Sequence, residues 1–211
     1  MLIMELMDSN SSIIKDRDLV IDKLTLEDAF LMSRWDNHDN ELFIDYNFNG
    51  NNENYQTLWY YSKGIGFLNK YYCVKFNGEL IGYIAIKEIR ILKRTAVLGI
   101  VFNPKYSSMG FGYRSMRLFL DYYFYKMNMK EITLDVNQFN YRAINLYKKL
   151  GFVYKYEYLG LFENQNIDFK NPFYAQFRDD FVIDKGSIYS IIHFMTLNKT
   201  DYELGAFKND L

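Results

Sequence analysis

Along the chain the spacing of apolar positions changes period several times. "DLVIDKL" (18–24) alternates apolar and polar residues and reads as a first strand. "TLEDAFLMSRW" then takes helical spacing. Thr25 fits its N-cap, and Glu27 and Asp28 fall in the first turn, where negative charge suits the helix dipole. "FNGNNEN" reads as a loop. "YQTLWYYSKGIGFLN" has helical spacing that weakens at Gly64 and Gly66. "KYYCVKF", the pair Asn77-Gly78 and "ELIGYIAIKEIRI" form a hairpin signal, because Asn-Gly accepts the positive φ angles of a tight turn. "LKR" supplies a second turn, and "TAVLGIVF" is the third strand of a meander.

Asn103, Pro104 and the loop "KYSSMGFGYRSM" follow. Beyond it Met116, Phe119, Leu120, Tyr123, Phe124 and Met127 make the stripe of an amphipathic helix. "EITLDV" is a strand. "NYRAINLYKKLG" is a second helix, with Asn140 as cap, Lys148 and Lys149 in the last turn and Gly151 at its end. "FVYKYEYLGLF" and "SIYSIIHFMTL" are further strands, separated by an aromatic-rich segment, 162–186, that is long for a connection. With no internal repeat and no linker, the expected layout is an N-terminal arm over 1–17 and one α/β domain over 18–211.

Composition narrows the function classes. The 211 residues are 49% hydrophobic and 24% charged, an ordinary globular balance. The 20 Tyr and 18 Phe read as compositional bias rather than as a binding surface. A formal net charge of −1 without a basic block argues against a nucleic-acid partner. The single Cys73 excludes an internal disulfide and a cysteine metal cage, and its strand context reads as a core thiol. No metal-ligand spacing and no Ser-His-Asp order stands out, so no metal is expected. The first residues lack the basic region of a signal peptide and no 18-residue apolar run occurs, so no membrane association and a cytoplasmic location are expected.

A strand, a glycine-bearing turn and a helix start together form an anion site. The first amides of a helix lack intrahelical partners, the dipole favours negative charge, and glycine lets the backbone approach closely. Glycine also serves such turns for geometry alone, so the pattern by itself leaves both readings open. The order of elements adds to it. A β-meander, Gly-x-Gly, a helix, a strand and "NYRAINLYKKLGF" resembles the GNAT superfamily of acyl-CoA-dependent N-acetyltransferases. The family's first motif, Gln/Arg-x-x-Gly-x-Gly/Ala, stands here as Ser107-Ser108-Met109-Gly110-Phe111-Gly112. The second, Asn-x-x-Ala-x-x-x-Tyr followed by Gly-Phe, is complete in Asn140, Ala143, Tyr147, Gly151 and Phe152. The resemblance covers about residues 18–160. The opening "LTLEDAFLMSRWDN" is similar to the branch holding ribosomal-protein N-terminal and spermidine acetyltransferases. The departure is at Ser107 and Ser108, where the family carries a long polar side chain and a glycine. The backbone amides remain, and two hydroxyls can donate in their place.

The resemblance implies a mixed, mostly antiparallel central sheet flanked by helices and splayed at the cofactor site. Acetyl-CoA would be the co-substrate, and the acceptor a primary amine on a small molecule or peptide that attacks the thioester directly. Backbone groups of Ile100, Val101 and Phe102 would meet the pantetheine arm, and an N–H near Ile100 or Val101 would stabilise the oxyanion. The amides of Met109, Gly110, Phe111, Gly112 and Tyr113 would hold the pyrophosphate, with Ser107 and Ser108 at its edge. Asn140 is either a helix cap or a hydrogen-bonding partner of the cofactor. Tyr147 matches the general acid that returns a proton to the departing thiolate, and otherwise reads as a core tyrosine. Some relatives carry a Glu base in the strand matching "TAVLGIVF". This chain has none there, so Glu88 on the preceding strand is the candidate, against a solvated strand residue or a water chain. His38 and His193 read as structural or surface residues. The acids Glu163, Asp168, Asp179, Asp180 and Asp184 either attract a cationic amine or solvate a cap over the sheet. Homodimers are common in the resembling branch. The alternative to an enzyme is a module that binds acyl-CoA without turnover.

Overall fold

The computed structural model describes residues 13–48 and 53–206. Its centre is a nine-stranded sheet. β1 (Ile14–Asp16), β2 (Leu19–Lys23), β3 (Lys70–Phe76), β4 (Glu79–Arg90) and β5 (Thr95–Phe102) follow one another antiparallel across it. β6 (Glu131–Asn137), β9 (Ser187–Asn198) and β7 (Val153–Leu161) complete the row. β8 (Phe181–Asp184) pairs with β9 on the side that β6 takes further along, since Tyr189 and Ser190 face β7 on one edge and β8 on the other. The fold is therefore the mixed, mostly antiparallel sheet expected from the sequence. The N-terminal segment joins the sheet from Ile14 onward, and the rest of the expected arm, 1–12, lies outside the described residues. The loop expected over 48–54 falls partly outside them too.

Sequence chemistry sets the elements. α1 (Leu26–Met32) opens on a full capping box: the Asp28 amide donates to the Thr25 hydroxyl, and the Asp28 carboxylate accepts from the Thr25 amide. Asn77 and Gly78 take positive φ in the β3–β4 hairpin. α1 and α2 (Glu53–Ser62) cover one face of the sheet, where Met32, Tyr71, Cys73, Leu80 and Ala85 form a core. Burial pushes the Cys73 thiol up to about 12, so this side chain is the inert core thiol the sequence implied.

α3 (Phe111–Asp121) and α4 (Tyr141–Lys149) cover the opposite face. The α3 stripe Met116, Phe119, Leu120, Tyr123 and Phe124 is wholly buried there against Ile84, Ile86, Ile132 and Leu134. Truncating any one of these large side chains to alanine would cost about 2–5 kcal/mol. α3 continues as a π turn over Tyr122–Lys126, and α6 (Lys199–Ala206), which the pattern did not reveal, packs Tyr202 onto Phe124 at 5.2 Å. The segment 162–186 folds around α5 (Pro172–Ala175) and a third core of Leu42, Phe139, Phe162, Ile167, Tyr174, Phe181 and Ile188.

Candidate active site

β5 and β6 run parallel but pair through three residues only: Thr95 with Glu131, Ala96 with Ile132 and Val97 with Thr133. Beyond these, β5 stays paired with β4 as far as Phe102, while β6 stays paired with β9 as far as Asn137. The sheet thus splits into two halves, and the inner edge of β5 from Leu98 onward is left without a strand partner. A cavity of about 670 Å³ opens in the split.

The turn after β5 closes one end of this cavity. The buried Asn103 side chain accepts from the amides of Lys105 and Asp36, at 3.0 and 3.2 Å, which ties the turn to the loop after α1. Ser107 donates its own amide to Pro104 O and is spent on the turn. Ser108 takes φ 63° and Gly110 φ 83°, and the first helical bond of α3 runs from Arg114 N to Gly110 O. Among the described residues, the amides of 108–113 donate to no other group of the protein. They form a run of free donors at a helix start, the arrangement that holds an anion.

The cavity gathers most of the residues named from sequence. Ile100, Val101, Phe102, Ser107, Ser108, Gly110, Gly112, Tyr113, Asn140 and Tyr147 all line it. Met109 and Phe111 do not contribute side chains. Met109 is 62% exposed to solvent, and Phe111 turns inward to pack on Phe76 and Tyr106. Asn140 caps α4, its Oδ1 accepting from Ala143 N at 3.2 Å, while it also faces the cavity. Tyr147 is 7% exposed and packs on Phe152. Burial, with the nearby Tyr46 phenol adding to it, raises the Tyr147 pKa, so the group keeps its proton at neutral pH.

Glu88 stands elsewhere. It sits at positive φ in a β4 bulge, exposed, with Arg90 at 3.6 Å, and lines a second cavity of about 490 Å³ that does not include Tyr147. His193 is outside the first cavity too, held between Gln138 at 3.0 Å and Glu157 at 3.6 Å. None of the five acids of 162–186 lines the first cavity. That segment instead supports the loop after α1: Tyr174 accepts from the Glu41 amide, Asn164 donates to the Glu41 carboxylate, and Phe181 stacks on Phe139, which in turn packs on Phe43. The loop so held brings His38, Phe43 and Tyr46 to the cavity wall. Tyr83 and Lys149 join them, Lys149 with its ammonium 4.5 Å from the Tyr113 ring. Sequence reasoning missed these five. Three come from that one loop and the others from β4 and α4, and no local spacing brings them together.

A sheet split between parallel strands, with free amides at a helix start on one side and a capped helix bearing a buried phenol on the other, defines a mixed α/β protein built around a cleft between two half-sheets. The chain belongs to the acetyltransferase (GNAT) family, whose model matches residues 31–152. It is 35% identical over 81 residues to the spermidine N(1)-acetyltransferase of Escherichia coli K12, across 38% of this chain and 44% of that one. The protein of the same description from Vibrio cholerae matches at 35% over 75 residues, 36% of this chain and 43% of that one. The chain therefore matches less than half the length of these curated relatives. Among solved structures, spermidine N-acetyltransferase from Vibrio cholerae in complex with CoA and spermine superposes with a TM-score of 0.67 over 89% of this chain and 99% of that one, at 20% identity. That likeness is one of fold.

Proposed function

We propose that the protein transfers an acetyl group from acetyl-CoA to a primary amine of a polyamine. The observation that carries this reading is the split between β5 and β6, with the free amides of 108–113 at one end and Tyr147 on its wall. These residues fit the co-substrate. The unpartnered amides suit a pyrophosphate, Lys149 adds positive charge beside them, and the bare edge of β5 offers backbone groups to an amide-bearing arm. Serine at 107 and 108 leaves this intact, because the backbone supplies the donors.

Acetyl-CoA would bring an activated acyl thioester. The chain's part is to hold it, to orient the amine and to manage protons. Tyr147, buried and protonated, would give its proton to the leaving sulfur. The polyamine acceptor is supported by the relatives, both spermidine acetyltransferases by description. Glu88 has no part in this reading, since it faces a different cavity.

The test is calorimetric titration with acetyl-CoA, followed by thiol release with spermidine and spermine as acceptors. Micromolar binding with amine-dependent thiol release is expected. Binding without release from any amine would replace this reading by the non-catalytic one. Absence of binding at millimolar acetyl-CoA would overturn both.

A further inference from the structure

An ammonium group cannot attack a thioester until it gives up a proton, and the base expected on β4 is not in the reaction cavity. The side chains that do line that cavity narrow the choice. Its lysines, Arg142 and its tyrosines are protonated at neutral pH. Only His38 and Asp135 among its lining residues can accept a proton there.

Their positions differ. Asp135 lies on β6 at the far side of the split, exposed, and lines the second cavity as well as the first. Its carboxylate also interacts with the Tyr158 hydroxyl. His38 is half-buried on the loop after α1. Its main chain is clamped by Asn47, whose side chain accepts from His38 N at 2.6 Å and donates to His38 O at 3.1 Å. Its ring is set between Phe43 at 5.6 Å and Tyr46 at 6.4 Å, and Tyr46 is the residue whose phenol neighbours that of Tyr147. No side chain or backbone group among the described residues hydrogen-bonds to the imidazole nitrogens, so both remain open to a ligand.

We infer that His38 is the general base of the reaction, taking the proton from the bound ammonium before attack. This rests on the acetyltransferase reading above. In the step, one imidazole nitrogen accepts a proton from R–NH₃⁺, giving R–NH₂ and imidazolium, and the imidazolium returns that proton to solvent. The second amine proton lost on amide formation balances the one that Tyr147 gives to sulfur. The charges facing His38 suit a base. Burial and the Arg142 guanidinium on α4 lower its pKa from the ordinary 6.5, with Asp39 on its own loop opposing them. The ring is therefore neutral and ready to accept at pH 7.

The experiment is the pH dependence of kcat with spermidine and acetyl-CoA, run on the wild type, His38→Gln and Asp135→Asn. The wild type is expected to lose rate as pH falls, with a midpoint below 6.5. His38→Gln should lose about 10²–10⁴-fold in kcat at pH 7 and lack that limb, while acetyl-CoA binds as before. Asp135→Asn should keep the limb. The assignment is overturned if His38→Gln retains the wild-type rate and limb, or if Asp135→Asn abolishes the limb. A second readout needs neither turnover nor a His38 variant: proton NMR of the two imidazoles, with His193→Gln to separate them. A His38 midpoint below 6.5 supports the assignment, and one at or above 6.5 overturns it. If the wild type acetylates no amine, the proposed function fails by itself, a result distinct from either outcome at His38.

Discussion

The Tyr141 hydroxyl donates to the Asp180 carboxylate at 2.6 Å, and the Gln138 amide donates to its other oxygen at 2.8 Å. Asp180 is only 3% exposed. This knot fastens the segment 162–186 to the start of α4, next to the capping Asn140, and through that segment's aromatic core it steadies the loop bearing His38.

Removing Asp180 should therefore loosen the site as well as the fold. Asp180→Ala is expected to cost about 2–3 kcal/mol, the worth of hydrogen bonds to a buried charge, read by urea unfolding. The pair also gives an alkaline signature. Asp180 accepts a hydrogen bond from the Tyr141 hydroxyl and so raises that phenol to about 12, above its ordinary 10.0. The stabilisation is whole below pH 10 and is lost as pH rises toward about 12. The stability difference between wild type and Tyr141→Phe should shrink across that window. A difference that stays constant would show that the pair does not form.

Tyr147→Phe should separate binding from turnover. Among the described residues its hydroxyl bonds to no protein group, so the variant should unfold at the wild-type temperature and bind acetyl-CoA within about threefold. Its kcat should fall about 10²–10⁴-fold, the usual share of one general acid. An undiminished kcat would return Tyr147 to the role of a core tyrosine.

Ser108 holds φ 63°, a conformation glycine adopts without strain and β-branched residues resist. Ser108→Gly should leave stability nearly unchanged and keep acetyl-CoA binding. Ser108→Val should cost about 1–2 kcal/mol and weaken acetyl-CoA binding, since the amides on either side must move. Calorimetric titration and thermal unfolding of both variants check this.

Gly82 lies opposite Phe102 on the strand pair beside the cavity, and a Cβ there would stand 2.5 Å from the Phe102 ring. Gly82→Ala should destabilise by about 1–3 kcal/mol through overpacking and weaken acetyl-CoA binding. Gly82→Ala with Phe102→Ala should be less destabilised than the sum of the two singles, by a double-mutant cycle. Simple additivity would mean that the clash is absorbed elsewhere.

Much of the fold could be read from local chemistry. The alternation in "DLVIDKL", the Asn77-Gly78 turn, the Thr25 capping box and the stripe from Met116 to Phe124 each act within a few residues, and each appears where its period places it. The turn at Gly110 and Gly112 and the pair Asn140 and Tyr147 were legible for the same reason: a helix start and a two-turn spacing are local facts. Glu88 shows the limit. Its strand was right, but a bulge between Lys87 and Arg90 changes the register, and no pattern of alternation says which cavity a bulged residue faces.

Sequence alone thus determined the order of elements, the glycine-bearing turn at the start of α3 and the helix carrying the phenol, because hydrogen bonding and hydrophobic period act between near neighbours. Tertiary structure alone decided where β5 and β6 part, since each strand keeps a different far partner. It also decided that an acidic, aromatic segment would act as a support, and that His38 would stand in one cavity with Tyr147. Residues 109 positions apart line one cavity only because loop, helix and sheet pack around a common core.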